Sequence, residues 1–141
     1  MELFESKKTK GIKSQIANLV AIAQLDGNFS LAEKKLIFEI GERNGISKDR
    51  VKEIIKSEDS IKFKMPETDS LRFDRVYEAI EMVLVNAENE DEKTDFCIEL
   101  AIKLGVRMAV AGVLVKKIIS GMQSKKTQKA IKADCANFLN Y

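Results

Sequence analysis

The chain has 141 residues, of which 33% are charged and 6% aromatic, with one proline, seven glycines and a formal net charge of +2. That length suits a single domain, and that composition suits helices rather than a disordered or all-β chain. Histidine is absent, which excludes Ser/His/Asp and Cys/His nucleophilic arrangements and every zinc site that needs an imidazole.

The helices announce themselves by periodicity. Ile12, Ile16, Leu19, Val20 and Ala23 recur at helical spacing and predict a first helix over about residues 10–25, stopped by Asp26-Gly27. Ser30-Leu31-Ala32-Glu33 has the form of a capping box and predicts the start of a second helix, with Leu36, Ile37 and Ile40 on its apolar face. Asn44-Gly45 ends that helix, and Ser47 caps a third carrying Val51, Ile54 and Ile55. The stretch 57–70 holds Pro66 and reads as a linker, with Phe63 packed against the core.

A fourth helix is expected from about Leu71 to Ala87 on Phe73, Val76, Tyr77, Ile80, Val83 and Leu84, and a fifth on Phe96, Leu100 and Leu104, ended by Gly105. The sixth carries Val110, Val113, Leu114, Ile118 and Ile119. Its first two turns, Val106 to Val115, are apolar almost all round, so they are expected to be enclosed by neighbours on several sides. Ile131, Cys135, Phe138 and Leu139 mark a C-terminal helix over about 125–140. Cys97 and Cys135 are far apart, with no Cys-x-x-Cys spacing, and are expected to be buried thiols acting as small hydrophobes.

Val20, Leu36, Glu39, Ile40, Gly45 and Ile46 correspond, at an offset of 60 residues, to Ile80, Phe96, Glu99, Leu100, Gly105 and Val106. The expected fold is therefore all-α: about seven helices in one domain, as two pseudo-symmetric three-helix units sharing a core, plus a C-terminal helix. The first unit covers about 10–56, the linker 57–70 and the second unit about 71–122. Three short helices alone would leave their apolar stripes in water, which is why the units must share a core.

The run Leu19-Val20-Ala21-Ile22-Ala23-Gln24-Leu25-Asp26-Gly27-Asn28-Phe29-Ser30-Leu31-Ala32-Glu33 places an apolar helix before Asp-Gly, then an apolar residue, a serine, and a glutamate three later. With Ile40-Gly41-Glu42-Arg43-Asn44-Gly45-Ile46-Ser47 and Phe63-Lys64-Met65-Pro66-Glu67-Thr68, it resembles the tellurite-resistance TerB family over about residues 12–122. The resemblance implies a two-unit helical bundle acting as a non-enzymatic binding or scaffold domain, with protein partners, in bacterial stress-response or envelope-associated complexes. The second unit departs from the pattern, because Asn86 and Ala87 stand where a second Asp-Gly would be expected.

Two clusters are candidate sites. Asp26, Asn28, Ser30 and Glu33 offer hard oxygens, and Glu88, Glu90, Asp91 and Glu92 could converge on them across the repeat, a donor set suited to calcium or magnesium. Position twelve from Asp26 is Ile37, where a calcium loop of the EF-hand type needs a bidentate glutamate, and turn and cap roles already account for Gly27, Ser30 and Glu33. The acidic run opens the fifth helix, where negative charge meets the helix dipole favourably. There Asn89 with Glu92 could form a capping box, or Glu90 could take the place equivalent to Ser30.

Lys116, Lys117, Lys125, Lys126, Lys129 and Lys132 are the second cluster, a candidate anionic-surface contact suited to weak peripheral membrane attachment, with Lys7, Lys8, Lys10 and Lys13 as a smaller group. No nucleic-acid motif accompanies them, and a solvated lysine face is the simpler explanation of them. Catalysis would have to rest on carboxylate pairs such as Glu39 and Glu99, which lie beside lysines on amphipathic helices, so no enzyme and no resident cofactor are expected. Met1-Glu2-Leu3-Phe4-Glu5 lacks the apolar core of an export signal, and the run Met108 to Val115 is far short of the roughly 20 residues that span a bilayer. The expectation is a cytoplasmic protein with occasional membrane association.

Overall fold

The computed structural model describes residues 5–27, 29–86 and 88–139, and the backbone alone of Asp26. Among the described residues there are eight α-helices and no strand: α1 Lys7–Ala23, α2 Leu31–Arg43, α3 Lys48–Lys56, α4 Asp69–Val85, α5 Glu90–Lys103, α6 Met108–Gln123, α7 Gln128–Asp134 and α8 Ala136–Leu139. None of them is long and apolar enough to cross a membrane.

Short polar side chains set most of the starts. Ser6, Ser30, Ser47, Thr68 and Thr127 each accept a hydrogen bond from the backbone amide three residues on, so a donor that the helix leaves unpaired is satisfied. Thr68 moves the start of α4 ahead of the expected Leu71, because the cap and not the first apolar residue decides where the helix begins.

The ends of α2 and α5 are built alike. Gly45 (φ 81°) and Gly105 (φ 106°) turn left-handed; the Ile46 amide then donates to the Gly41 carbonyl at 2.8 Å and the Val106 amide to the Ala101 carbonyl at 2.9 Å. These six-to-one bonds close the last turn and send the chain back across the helix it has just left. The end of α6 repeats the device without a glycine: Lys125 takes φ 59°, and the Lys126 amide donates to the Gly121 carbonyl at 3.0 Å.

α1 packs against α2, α3 and α4, while α4 packs against α2, α5 and α6, so α1 and α4 form the centre. Leu19, Val20 and Ile22 of α1 and Phe73, Ile80 and Val83 of α4 have no exposed surface. The linker packs on α1. It opens with a single 3-10 turn, Glu58–Ser60, and its Lys64 amide donates to the buried Ser14 hydroxyl of α1 at 2.9 Å. Phe63 packs on the core as expected, with the Lys103 ammonium 4.4 Å above its ring.

Two expectations need correction. The first turns of α6 are not enclosed: Met108 is 76% and Val113 53% exposed, because α6 meets α4, α5, α7 and α8 on its other sides. The C-terminal helix is two pieces. Lys125 and Thr127 delay its start to Gln128, and at Cys135 the bonding tightens, with the Phe138 amide donating to the Cys135 carbonyl, and the last turn seats Leu139 in the core. Both thiols are buried and unpaired with one another, and burial pushes the pKa of Cys97 up to about 12.

Candidate functional site

Ser30 and Glu33, the two polar residues that frame the start of α2, act first on each other. Ser30 Oγ accepts from the Glu33 amide at 3.1 Å, and Glu33 Oε1 accepts from the Ser30 amide at 3.1 Å. This is the expected capping box. Its glutamate does more than cap, because it has no exposed surface. The same Oε1 accepts from Asn86 Nδ2 at 3.3 Å, and Oε2 lies 3.4 Å from the ammonium of Lys93, which is itself fully buried and donates to the Asn86 carbonyl at 3.2 Å. The carboxylate is thereby drawn across to the end of α4 and the start of α5.

Glu88, Glu90, Asp91 and Glu92 do not join this cluster. All four are exposed, and the last three sit in the first turn of α5, where their charge meets the positive end of the helix dipole. Neither capping scheme is formed there: Asn89 is the cap residue but adopts a left-handed φ of 54° with no side-chain hydrogen bond, and Glu90 is already inside the helix. The side chain of Asp26, and all of Asn28, lie outside the described residues. Among the described residues no three acidic or sulfur side chains gather as they would around a metal ion.

The basic cluster is partly neutralised. Lys126 pairs with Asp134 and Lys132 with Asp74, both at 3.0 Å, and Lys117 lies 6.0 Å above the ring of Phe138. Lys116, Lys125 and Lys129 point to solvent. Glu39 and Glu99 are exposed, as ordinary helix-surface residues would be.

A second polar centre, not anticipated from the sequence, lies where α1 meets α4. Gln15, Arg75 and Glu78 are almost wholly buried. Gln15 Nε2 donates to the Arg75 carbonyl at 2.8 Å and to Glu78 Oε1 at 3.1 Å, and Asn44 Nδ2 donates to Glu78 Oε2 at 3.1 Å. Burial raises the pKa of Glu78, and the Arg75 guanidinium and the Asn44 amide oppose that shift without cancelling it. Arg75 Nη1 donates to Glu78 Oε1 at a long 3.4 Å, and its remaining N–H groups meet no acceptor among the described residues. Beside it a pocket of about 310 Å³ opens between α1, the start of α4 and residues 64–67 of the linker.

No family model matches the chain, and neither does any curated protein or any solved structure. One signal in the sequence does point to the partner of Glu33. Lys93 stands 60 residues after Glu33, the offset of the repeat, and Arg75 stands at the same distance from Gln15. Both contacts span that same 60-residue spacing, and a glutamate matched to a lysine at that offset is a charge complement written in the sequence itself.

Proposed function

We propose that this chain is a TerB-like, non-enzymatic binding or scaffold domain that works in stress-response complexes of the tellurite-resistance type, or in envelope-associated ones. The observation that carries this reading is the burial of Glu33. The glutamate that closes the TerB-like motif is committed to a helix cap, an amide and a buried ammonium. A residue so engaged contributes to the architecture, and the functional surface then lies outside the motif, in the pocket and the exposed helix faces. The position is cytoplasmic, with the three solvent-facing lysines Lys116, Lys125 and Lys129 available for weak contact with an anionic membrane.

The second reading is a divalent-cation sensor using Asp26, Asn28 and Glu33 with help from the carboxylates of Glu88, Glu90, Asp91 and Glu92, which are exposed. Calorimetric titration of chelator-treated protein with calcium and with magnesium separates the two. The scaffold reading expects no saturable micromolar binding. Saturable binding that disappears in Asp26→Ala would overturn it in favour of the sensor.

A further inference from the structure

We propose that the pocket between α1, α4 and the linker binds a small organic anion, its oxyanion held by Arg75 and its apolar body lying against Ile12, Leu71 and Leu104. This deepens the binding-domain reading and rests on it.

The first observation is the guanidinium. Arg75 is 5% exposed, yet one long bond to Glu78 is all that its five N–H donors make among the described residues. Buried donors are normally satisfied, charged ones most stringently, so a guanidinium left with a single long bond calls for an explanation. Its planar fork matches a carboxylate or a phosphate.

The second observation is the charge around it. Lys7, Lys8 and Lys64 line the same pocket, against one acid, Glu67, which is 3.9 Å from Lys7. Glu78, the carboxylate nearest to Arg75, is turned toward Gln15 and Asn44 and does not line the pocket. Its raised pKa also weakens the negative charge that it can offer Arg75 as a counterion.

The third observation is the wall. Ile12 and Leu104 are core residues with one side on the pocket, and Met65 on its rim is 45% exposed. An apolar wall with a few converging polar groups is the usual build of a small-molecule site, and about 310 Å³ lies at the small end of such sites. Asn18 and Asn44, also in the lining, supply amides that can orient a polar head.

The test is titration of the full chain, followed by calorimetry and amide NMR shifts, with octanoate, hexyl phosphate, 1-octanol and inorganic phosphate. The expected result is saturable binding of octanoate or hexyl phosphate with shifts at Ile12, Gln15, Lys64 and Arg75. Octanol and inorganic phosphate should bind at least about tenfold more weakly, as should either organic anion to Arg75→Gln, since a charge-assisted hydrogen bond is lost. Preference between the two organic anions identifies a carboxylate or a phosphate head. Should Arg75→Gln not fold, the doubly substituted Lys8→Glu, Lys64→Glu rim variant takes its place, with a severalfold loss expected. No saturable binding of either organic anion, equal binding of octanol or of inorganic phosphate, or unchanged affinity in the variant that folds overturns the proposal. Such a failure leaves the cation titration, and with it the scaffold reading, untouched.

Discussion

The ammonium of Lys93 stands 3.4 Å from the carboxylate of Glu33, and neither side chain reaches solvent. Desolvating two charges is expensive, so such a pair adds little net stability compared with an apolar replacement, whereas removing one partner takes a favourable contact from a charge that stays buried, which costs about 3–5 kcal/mol in such pairs. Lys93→Met and Glu33→Gln should each be strongly destabilising in urea unfolding. Glutamine retains the capping geometry, so the Glu33→Gln loss reports the charge. The double variant should cost less than the sum of the two by more than about 1 kcal/mol, and strict additivity would show that the two groups are not coupled.

The buried carboxyl of Glu78 gives a dependence on pH. Burial raises its folded pKa above the ordinary 4.5, so between those two values the folded state holds more protons than the unfolded state. Its contribution to stability is therefore fully present below pH 4.5 and declines as pH rises through the folded pKa. Glu81 is shifted in the same direction, chiefly by burial. Relative to Glu78→Gln, the wild-type protein should lose stability over that window and run parallel above it. Parallel curves throughout the acid range would contradict the assignment.

How far these features are legible in the sequence depends on the reach of the interaction. The capping box at Ser30 and Glu33 spans three residues and can be read directly, as can the glycines that end α2 and α5. The partner of Glu33 lies 60 residues away. Lys93 lies in the first turn of α5, and hydrophobic periodicity does not encode its approach to the start of α2; only the charge complement at the 60-residue offset hints at it. The run Val106 to Val115 misleads for a related reason: apolar character on all sides says that a helix face can be buried, not that another element exists to bury it.

Lys125 holds a left-handed backbone, φ 59°, at the end of α6, where α2 and α5 use glycine. A side chain in that region costs roughly 1–2 kcal/mol, offset in part by the greater freedom of glycine in the unfolded chain. Lys125→Gly should raise stability by about 0.5 kcal/mol, while Gly45→Ala, the reverse exchange at an equivalent position, should lower it by about 1 kcal/mol. Urea midpoints with unchanged slopes would check both.

The two cysteines are enclosed by the core, and burial alone pushes the Cys97 thiol up to about 12, with that of Cys135 also raised. Since the thiolate is the reactive form, neither should react with Ellman's reagent at pH 8 until the protein is unfolded, whereupon both should react together. Rapid reaction of one thiol in the native protein would place it at a local opening.

The linker has a consequence for cohesion. Its exposed turn at Glu58–Ser60 is open to a protease, while a few residues later Pro66 is buried and the Lys64 amide is held by Ser14. A cut at the turn would sever the backbone but not the joint: α1 would still lie on α4, Gln15 on Arg75 and Glu33 on Lys93. The nicked protein should travel as one particle, and its two fragments, mixed after separation in denaturant, should find each other again, because the buried pair has its carboxylate on one fragment and its ammonium on the other.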